Sequence, residues 1–559
     1  MLPFFAATQS VPFMQGSRYL HVTDRLEIKT GTVSDLNFTG TRPYDRRYVV
    51  EYLGGKVDSM RSVTPLFYSR DTALRLSTTD TYNLNSLYLN NQEWVQGDRS
   101  VFASKKPLLR NFYTTPAHLL AHYVEDFFIA VDPLLQYRQS AELNNTGQNI
   151  FLNQRGLAVR GAIGGKVGFA ASAMDVQERG PLFFQDWVDS LQAVPGGNFY
   201  KVFKKTGVDY IDARGSFTFR AAKYINFHAG YDRNFIGNGY RSLLLSDFAG
   251  NNLFVKINTR LWKFNYQNLF MELHAGAANN NTNNLVPRKY LTMHHLGMNL
   301  TPWLNVGLFE AVVFGRKDRF EFGYMNPIIF FRSIEGNLGS RDNALVGTDF
   351  KANFLQSFQV YGQLLLDELN ISKLRQDRSW WGNKTGLQLG MKYIDVANIS
   401  NLDAQVEWNR VRPFTYGHFD SVSNYSHYNQ PLAHPLGANF NEWLVVLRYQ
   451  PTGRLNLSAR LIYWKQGQDS SSTGRNSGSN IFRLSGDGRN SEFGYNLLNG
   501  QLATGVNAAA LASYEIKNNI FIDGHVLLRR FLKGAAPAQT TTLISLGVRM
   551  NLWYRDYDY

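Results

Sequence analysis

What most constrains this chain is alternation. From about residue 127 onward, apolar and polar side chains take turns over stretches of about 10–15 residues, and each stretch ends in a break. In 252–262, Leu253, Val255, Ile257, Thr259 and Leu261 fall on one face, with Lys256, Asn258 and Arg260 on the other. Around 210–221 the split sets Ile211, Ala213, Phe217 and Phe219 against Asp212, Arg214, Ser216, Thr218 and Arg220. The last stretch opposes Thr542, Ile544, Leu546, Val548, Met550 and Leu552 to Ser545, Arg549 and Asn551. A period of two is strand geometry, with one apolar face and one wet face. Soluble strands average about five or six residues; these are about twice as long, enough for a tilted strand to cross a bilayer.

About 18 such segments can be marked off: 127–140, 150–164, 166–179, 208–222, 224–239, 252–262, 263–275, 289–302, 304–316, 349–358, 359–370, 384–398, 402–414, 441–454, 455–467, 506–518, 520–532 and 541–553. Their connections alternate between long ones and tight turns such as Gly164-Gly165 and Thr301-Pro302. This is the signature of an up-and-down barrel with short periplasmic turns and long outer loops. The expected fold is therefore an all-β transmembrane antiparallel barrel of about 18 strands over 127–559. Residues 1–126 lack the long alternating stretches and are expected to form a partly helical periplasmic or lumen-filling region. Within it, Thr115-Pro116 reads as a helix start and 82–94 as a short helical piece. The expected location is the bacterial outer membrane, with both termini periplasmic and the long loops extracellular.

Composition agrees by exclusion. No stretch approaches the roughly 18 apolar residues of a membrane helix, and mean hydropathy is −0.29. The absence of Cys removes disulfide scaffolds, cysteine zinc sites, iron–sulfur centres and thiol hydrolases. The net charge of +14 is dispersed, its longest basic runs being pairs such as Lys105-Lys106 and Arg529-Arg530, so nucleic acid is not an expected partner. Leu2–Ala7 looks like a remnant of a secretory signal without its basic start. Trp262, Tyr266, Trp303, Trp408, Trp443, Tyr463, Trp464, Trp553 and Tyr554 are expected at strand ends as interfacial girdles. The ending 553–559 reads as a terminal strand closing on aromatic residues.

Candidate functional residues fall in two groups. The wet faces aim Arg160, Arg214, Arg220, Arg260, Arg448, Arg460 and Arg549 at the lumen, with Asp212, Glu310, Asp403, Glu407, Glu515 and Asp523 as their acidic counterparts. They form either a charged conduit or a ladder that holds a plugged lumen; sequence leaves both open. The second group is aromatic and imidazole. Connection 415–440 carries His418, His427 and His434 among Tyr416, Tyr425 and Tyr428, and Trp380-Trp381 lies in 371–383. Aromatic faces beside polar donors suit sugar rings, and the His spacings match no metal motif. Connection 317–348, with Ile328, Ile329, Phe330 and Phe331 in a row, is too apolar for a solvated loop. It either folds inward, as a constriction or packed on the plug, or extends two strands above the membrane. Connection 468–505 is rich in Ser, Gly and Asn and is expected to be mobile. No H-E-x-x-H or G-x-S-x-G occurs, and Gly161–Lys166 lacks the first Gly and the Ser/Thr of a phosphate loop. No enzyme activity, metal or cofactor is expected.

The runs Asn326–Glu335, Asp342–Lys351, Tyr361–Glu368 and His434–Trp443 resemble those of Wzi-type capsule-assembly barrels, and most of all their RemB-type gliding-motility branch. Lys106–Tyr113 and the Tyr-Asp-Tyr ending fit the same resemblance. It implies an outer-membrane barrel of 18 strands with a small helical element at its periplasmic mouth and no catalytic residues. Gliding motility, adhesion or an accessory role in type IX secretion is the function it puts first, with secretion or gliding-machinery proteins as partners. A surface lectin that attaches capsular or exopolysaccharide is the alternative, and a substrate-specific channel the third. Outer-membrane lipid and lipopolysaccharide are partners in each.

Overall fold

The structure, a computed structural model, describes residues 10–57, 63–65, 76–97, 99–105, 107–108, 111–124, 126–276, 285–317, 319–327, 330–339, 342–368, 370–420, 422–470 and 474–559. The signal-like Leu2–Ala7 and the pair Ile328-Ile329 lie outside the described residues.

Among the described residues, 18 long antiparallel strands close into one barrel. In chain order they are β1 (Phe127–Glu142), β2 (Ile150–Ile163), β3 (Val167–Arg179), β4 (Gly207–Ala222), β5 (Ile225–Asp232) and β6 (Asn252–Leu261). Then come β7 (Phe264–His274), β8 (Arg288–Thr301), β9 (Leu304–Phe314), β10 (Asn343–Phe354), β11 (Phe358–Glu368) and β12 (Lys384–Tyr393). The last six are β13 (Leu402–Val411), β14 (Phe440–Thr452), β15 (Leu455–Gln468), β16 (Gln501–Lys517), β17 (Ile520–Lys533) and β18 (Gln539–Met550). Closure joins β18 to β1, from Leu543↔Glu142 to Met550↔Leu135. Every segment marked off by alternation is a wall strand, with shifted ends.

The shifts have physical causes. Asn343–Thr348 belongs to β10 rather than to the preceding loop. Its inward Gly347 has no side chain because Leu244 packs there; a Cβ would come within 2.8 Å of that leucine. Residues 233–239 leave the wall and turn into the lumen, where Phe235–Ile236 pairs with Thr41–Arg42. Thr115-Pro116 opens a turn, and the residues after it form a short strand, Leu120–Val124, instead of a helix. β18 pairs with β1 only from Leu135 onward, so the first residues of β1 offer a free edge, which Leu120–Val124 takes.

The short-turn end is filled by the N-terminal region. It contains helices α1 (Arg18–Thr30), α2 (Arg46–Tyr52) and α3 (Thr78–Leu89). Gly31, in the left-handed conformation at φ 67°, stops α1. A reciprocal capping box between Ser77 and Asp80 starts α3. The helices share an apolar core of Tyr19, Leu26, Phe38, Val49, Leu84 and Tyr88, which reaches Phe128 and Ala162 on the wall.

Two further pieces enter the lumen. The residues after Met550 do not prolong the last strand. Instead 551–559 climb inside, from Trp553 packed on Tyr19 to Tyr559 packed on Trp187 and Phe248. Trp187 lies on α4 (Leu182–Leu191), in the long connection between β3 and β4. The tail follows this path because the wall's inward arginines meet it: Arg138 donates to the Arg555 carbonyl at 2.7 Å, and Arg460 pairs with Asp556 at 2.7 Å. The expected periplasmic position of the last residues is therefore corrected, and Trp553 and Tyr554 leave the girdle. Trp464 leaves it too, being inward and buried. Trp262, Trp303, Trp443 and Tyr463 are exposed, and Trp408 pairs with Trp443 across strands.

Connection 315–342 takes neither of its expected courses. Its described residues fold over the outside of β7–β9, where Tyr324 and Phe331 join the outward Tyr290, Val312 and Phe314 in one cluster. Glu310, expected in the lumen, faces outward beneath it: its neighbours Phe309 and Ala311 belong to the lumenal core.

Candidate functional site

At the long-loop end, connections 233–251, 412–439 and 469–500 fold together into a cap whose core includes Leu243, Leu244, Leu245, Tyr416, Tyr425 and Ile481. The aromatic and imidazole candidates are built into it. Tyr416 donates its hydroxyl to the Leu243 carbonyl at 2.8 Å, and Tyr425 donates to Leu244 at 2.6 Å. His427 accepts from the His274 N–H at Nδ1 and faces the Asn251 carbonyl at 3.0 Å through Nε2. His434 likewise accepts from Leu436 and reaches Glu442 at 2.7 Å. Both networks assign the neutral Nε2–H tautomer. Burial agrees, pushing His427 down to about 3 and holding His434 below the usual imidazole range. His418 and Trp380 are also buried.

These six side chains are therefore packing groups of the cap, and the loop fold that buries them could not be read from spacing. Trp381 and Tyr428 remain partly exposed. Arg489 lies over the Trp381 ring at 3.8 Å, and Tyr428 stacks on His274 at 4.7 Å. In the described residues around the Ser- and Gly-rich connection, Asn439 donates to the carbonyls of Gly467, Ser477 and Asn499. Gly164-Gly165 is a tight turn with both φ angles near 60°, which settles the phosphate-loop resemblance.

Some lumenal charges find partners on the pieces that fill the barrel, and others pair within the wall. Arg160 pairs with Glu93 of the N-terminal region, Glu515 with Arg18 at 2.7 Å and Arg260 with Asp35 at 2.9 Å. Arg214 pairs with Asp212 at 2.9 Å, and Arg549 with Asp523 at 2.6 Å. Glu407 accepts the N–H groups of Tyr240 and Arg241 from the inward loop. Arg25 of α1 bridges Asp80, Asp395 and Asp403. Among the described residues, no carboxylate lies within 4 Å of Arg220 or Arg448. Between α1, the inward loop and the tail remains a cavity of about 620 Å³, lined by His21, Arg42, Lys392, Arg448 and Asp556 among others. The ladder thus ties three lumenal pieces to the wall around a small, partly polar chamber. Among the described residues no cluster could hold a metal ion.

A wall of long tilted strands, an outward apolar belt and a lumen filled by a helical N-terminal region set the frame for comparison. The model of the capsule assembly protein Wzi family matches residues 111–519. The chain belongs to the Wzi capsule-assembly family. The Wzi structure from Escherichia coli is 13% identical, at a TM-score of 0.56, covering 98% of this chain and 100% of that one. That protein is described as an outer-membrane protein involved in group 1 capsule assembly and as a carbohydrate-binding β-barrel. OprD of Pseudomonas aeruginosa is 12% identical at a TM-score of 0.41, covering 76% of this chain and 93% of that one. No curated protein matches the chain in sequence. Like its family, this Wzi-type chain is an outer-membrane β-barrel.

Two features of this Wzi-family barrel lay beyond sequence reasoning: the lumenal tail, and the outward polar residues under 315–342. The tail had a signal in its alternating Tyr and Asp, which is poor chemistry for a lipid-facing strand end. The second had one in Glu310, a charge on the apolar side of its own strand's alternation.

Proposed function

We propose that this chain is a non-enzymatic, carbohydrate-binding barrel that attaches capsular or exopolysaccharide to the outer membrane at its long-loop face. Family membership carries the reading. It favours polysaccharide attachment over the gliding or type IX secretion role that the sequence put first. In this orientation the short turns and the N-terminal helices face the periplasm, and the cap faces outward beside lipopolysaccharide. The filled lumen supports a surface role over a channel, because helices, inward loop and tail occupy the path that a solute would need.

Trp381, with Arg489 and Lys384 around its ring, is the candidate contact for an acidic or neutral sugar on this face. The test is pull-down of capsular polysaccharide with the purified barrel. Trp381→Ala should weaken capture several-fold while the barrel stays folded; unchanged capture removes this residue from the site. Trp380→Ala is the wrong probe, since that ring is buried and its loss would disturb the cap itself. Absence of any sugar capture, with a secretion translocon co-purifying instead, would return the gliding reading to first place.

A further inference from the structure

Part of the outer wall is polar yet covered. Across β7, β8 and β9 the outward residues at one level are Asn268, His294 and Glu310, successive register partners. Thr292 faces outward one step higher on β8. The outward positions of β17 and β18 are apolar and exposed instead: Ile522, Val526, Ile544, Leu546 and Val548. Polar side chains turned toward hydrocarbon have no water to satisfy them. These four point away from the lumen, and yet all are buried.

Glu310 and His294 are covered by 320–327 with 330–338, which include α5 (Phe331–Leu338). Glu310 accepts the N–H of Phe331, the first residue of α5, at 2.8 Å. The His294 ring lies 4.1 Å from that of Phe331, and Tyr266 donates its hydroxyl to the Pro327 carbonyl. Having covered the polar row, the segment turns a new surface outward, where Phe322 and Phe330 are 76% and 75% exposed and Met325 nearly half exposed.

Depth says what meets that surface. Glu310 is six residues along β9 from Leu304. At ~3.3 Å per residue and a tilt of about 40°, that is about 15 Å above the short turn, inside an apolar band about 25 Å tall. α5 rises from there toward the start of β10, so its exposed Asn337 lies nearer the headgroups, and Arg332 is held by Glu335 at 2.7 Å.

We propose that 320–327 with 330–338 is a membrane-embedded strap, which replaces a polar section of the wall with its own lipid-facing surface and contacts outer-leaflet acyl chains through Phe322, Met325 and Phe330. The surface is continuous with the bare apolar wall beside it, where Leu308 is also exposed. The proposal rests on the outer-membrane reading.

The chain has no cysteine, so single Cys variants can be spin-labelled without background. Phe322→Cys, Phe330→Cys, Asn337→Cys and Leu546→Cys would be reconstituted in phosphatidylcholine liposomes, with heat-modifiable gel migration confirming a folded barrel. Accessibility to oxygen and to a water-soluble nickel chelate is then compared. The strap predicts oxygen-dominated relaxation at 322 and 330, matching Leu546, and a shift toward the chelate at 337. Chelate-dominated relaxation at 322 and 330 with Leu546 still oxygen-rich overturns the strap alone. Low access to both reagents at 322 and 330 overturns it in favour of a protein neighbour. A water-exposed Leu546 would instead overturn the membrane reading beneath it.

Discussion

The two ends of this barrel are closed by different physics. At the short-turn mouth, ion pairs lock helices to the wall: Glu27 of α1 meets Lys351 of β10 at 2.7 Å, and Asp24 meets Lys392 of β12 at 2.8 Å. At the long-loop mouth the cap is held by an apolar cluster and by tyrosines bound to backbone carbonyls. Buried charge pairs specify one docking geometry and fail abruptly when one partner is lost. Apolar contacts are less particular and weaken in proportion to what is removed. The plug is thus registered to the wall, while the cap is packed upon it.

Substitutions should separate the two ends. The largest effect is expected from Glu27→Ala, which strands Lys351 without its carboxylate. A loss of about 3–5 kcal/mol is expected for breaking one side of a buried pair. It should appear as faster proteolysis of the N-terminal region, with conductance in planar bilayers still low because the cap closes the other mouth. A plug that stays closed would mean that its apolar core alone suffices. Leu244→Ala at the cap should cost about 2–5 kcal/mol of local stability. Here protease sensitivity should rise in the long connections while conductance stays low, because the plug still blocks the other mouth.

Acid should act on the cap next. His427 titrates near 3 in the fold, against about 6.5 when unfolded, so the open loop binds more protons between these values. Its contribution is fully present above about 6.5 and is lost as pH falls toward 3. Hydrogen exchange in 412–439 should therefore quicken across that window, and His427→Gln should flatten the response. The smallest structural effect belongs to Trp381→Ala, whose expected loss is in sugar capture, with a thermal midpoint close to the parent's and a stability change within about 1 kcal/mol. A large shift in that midpoint would make Trp381 part of the cap's packing after all.

These contrasts bear on how much could be read in advance. The strands were legible because alternation over ten residues has one explanation, and each of the 18 segments lies in the wall. Glycine turns such as Gly164-Gly165 were legible because their backbone demands them. The ladder was half legible: period two aimed Arg260, Arg460 and Arg549 inward, but Asp35 and Asp556, which pair with the first two, come from pieces with no strand period. The aromatic candidates misled because Tyr416, Tyr425 and His427 carry the composition of a sugar platform while serving as core. Exposure separates those two uses, and spacing holds no information about exposure in a loop.

The sequence by itself determined the barrel, its strand number and, Glu310 apart, which wall side chains named here face inward, since a two-residue repeat ties face to position without reference to any distant residue. Tertiary structure alone decided what fills the lumen, which loops bury their aromatics and what covers an outward glutamate. Those outcomes depend on contacts between residues hundreds of positions apart, such as Arg18 with Glu515 and Arg25 with Asp403. No local pattern encodes a partner at that range, because each side chain's environment is set by where the rest of the chain happens to return.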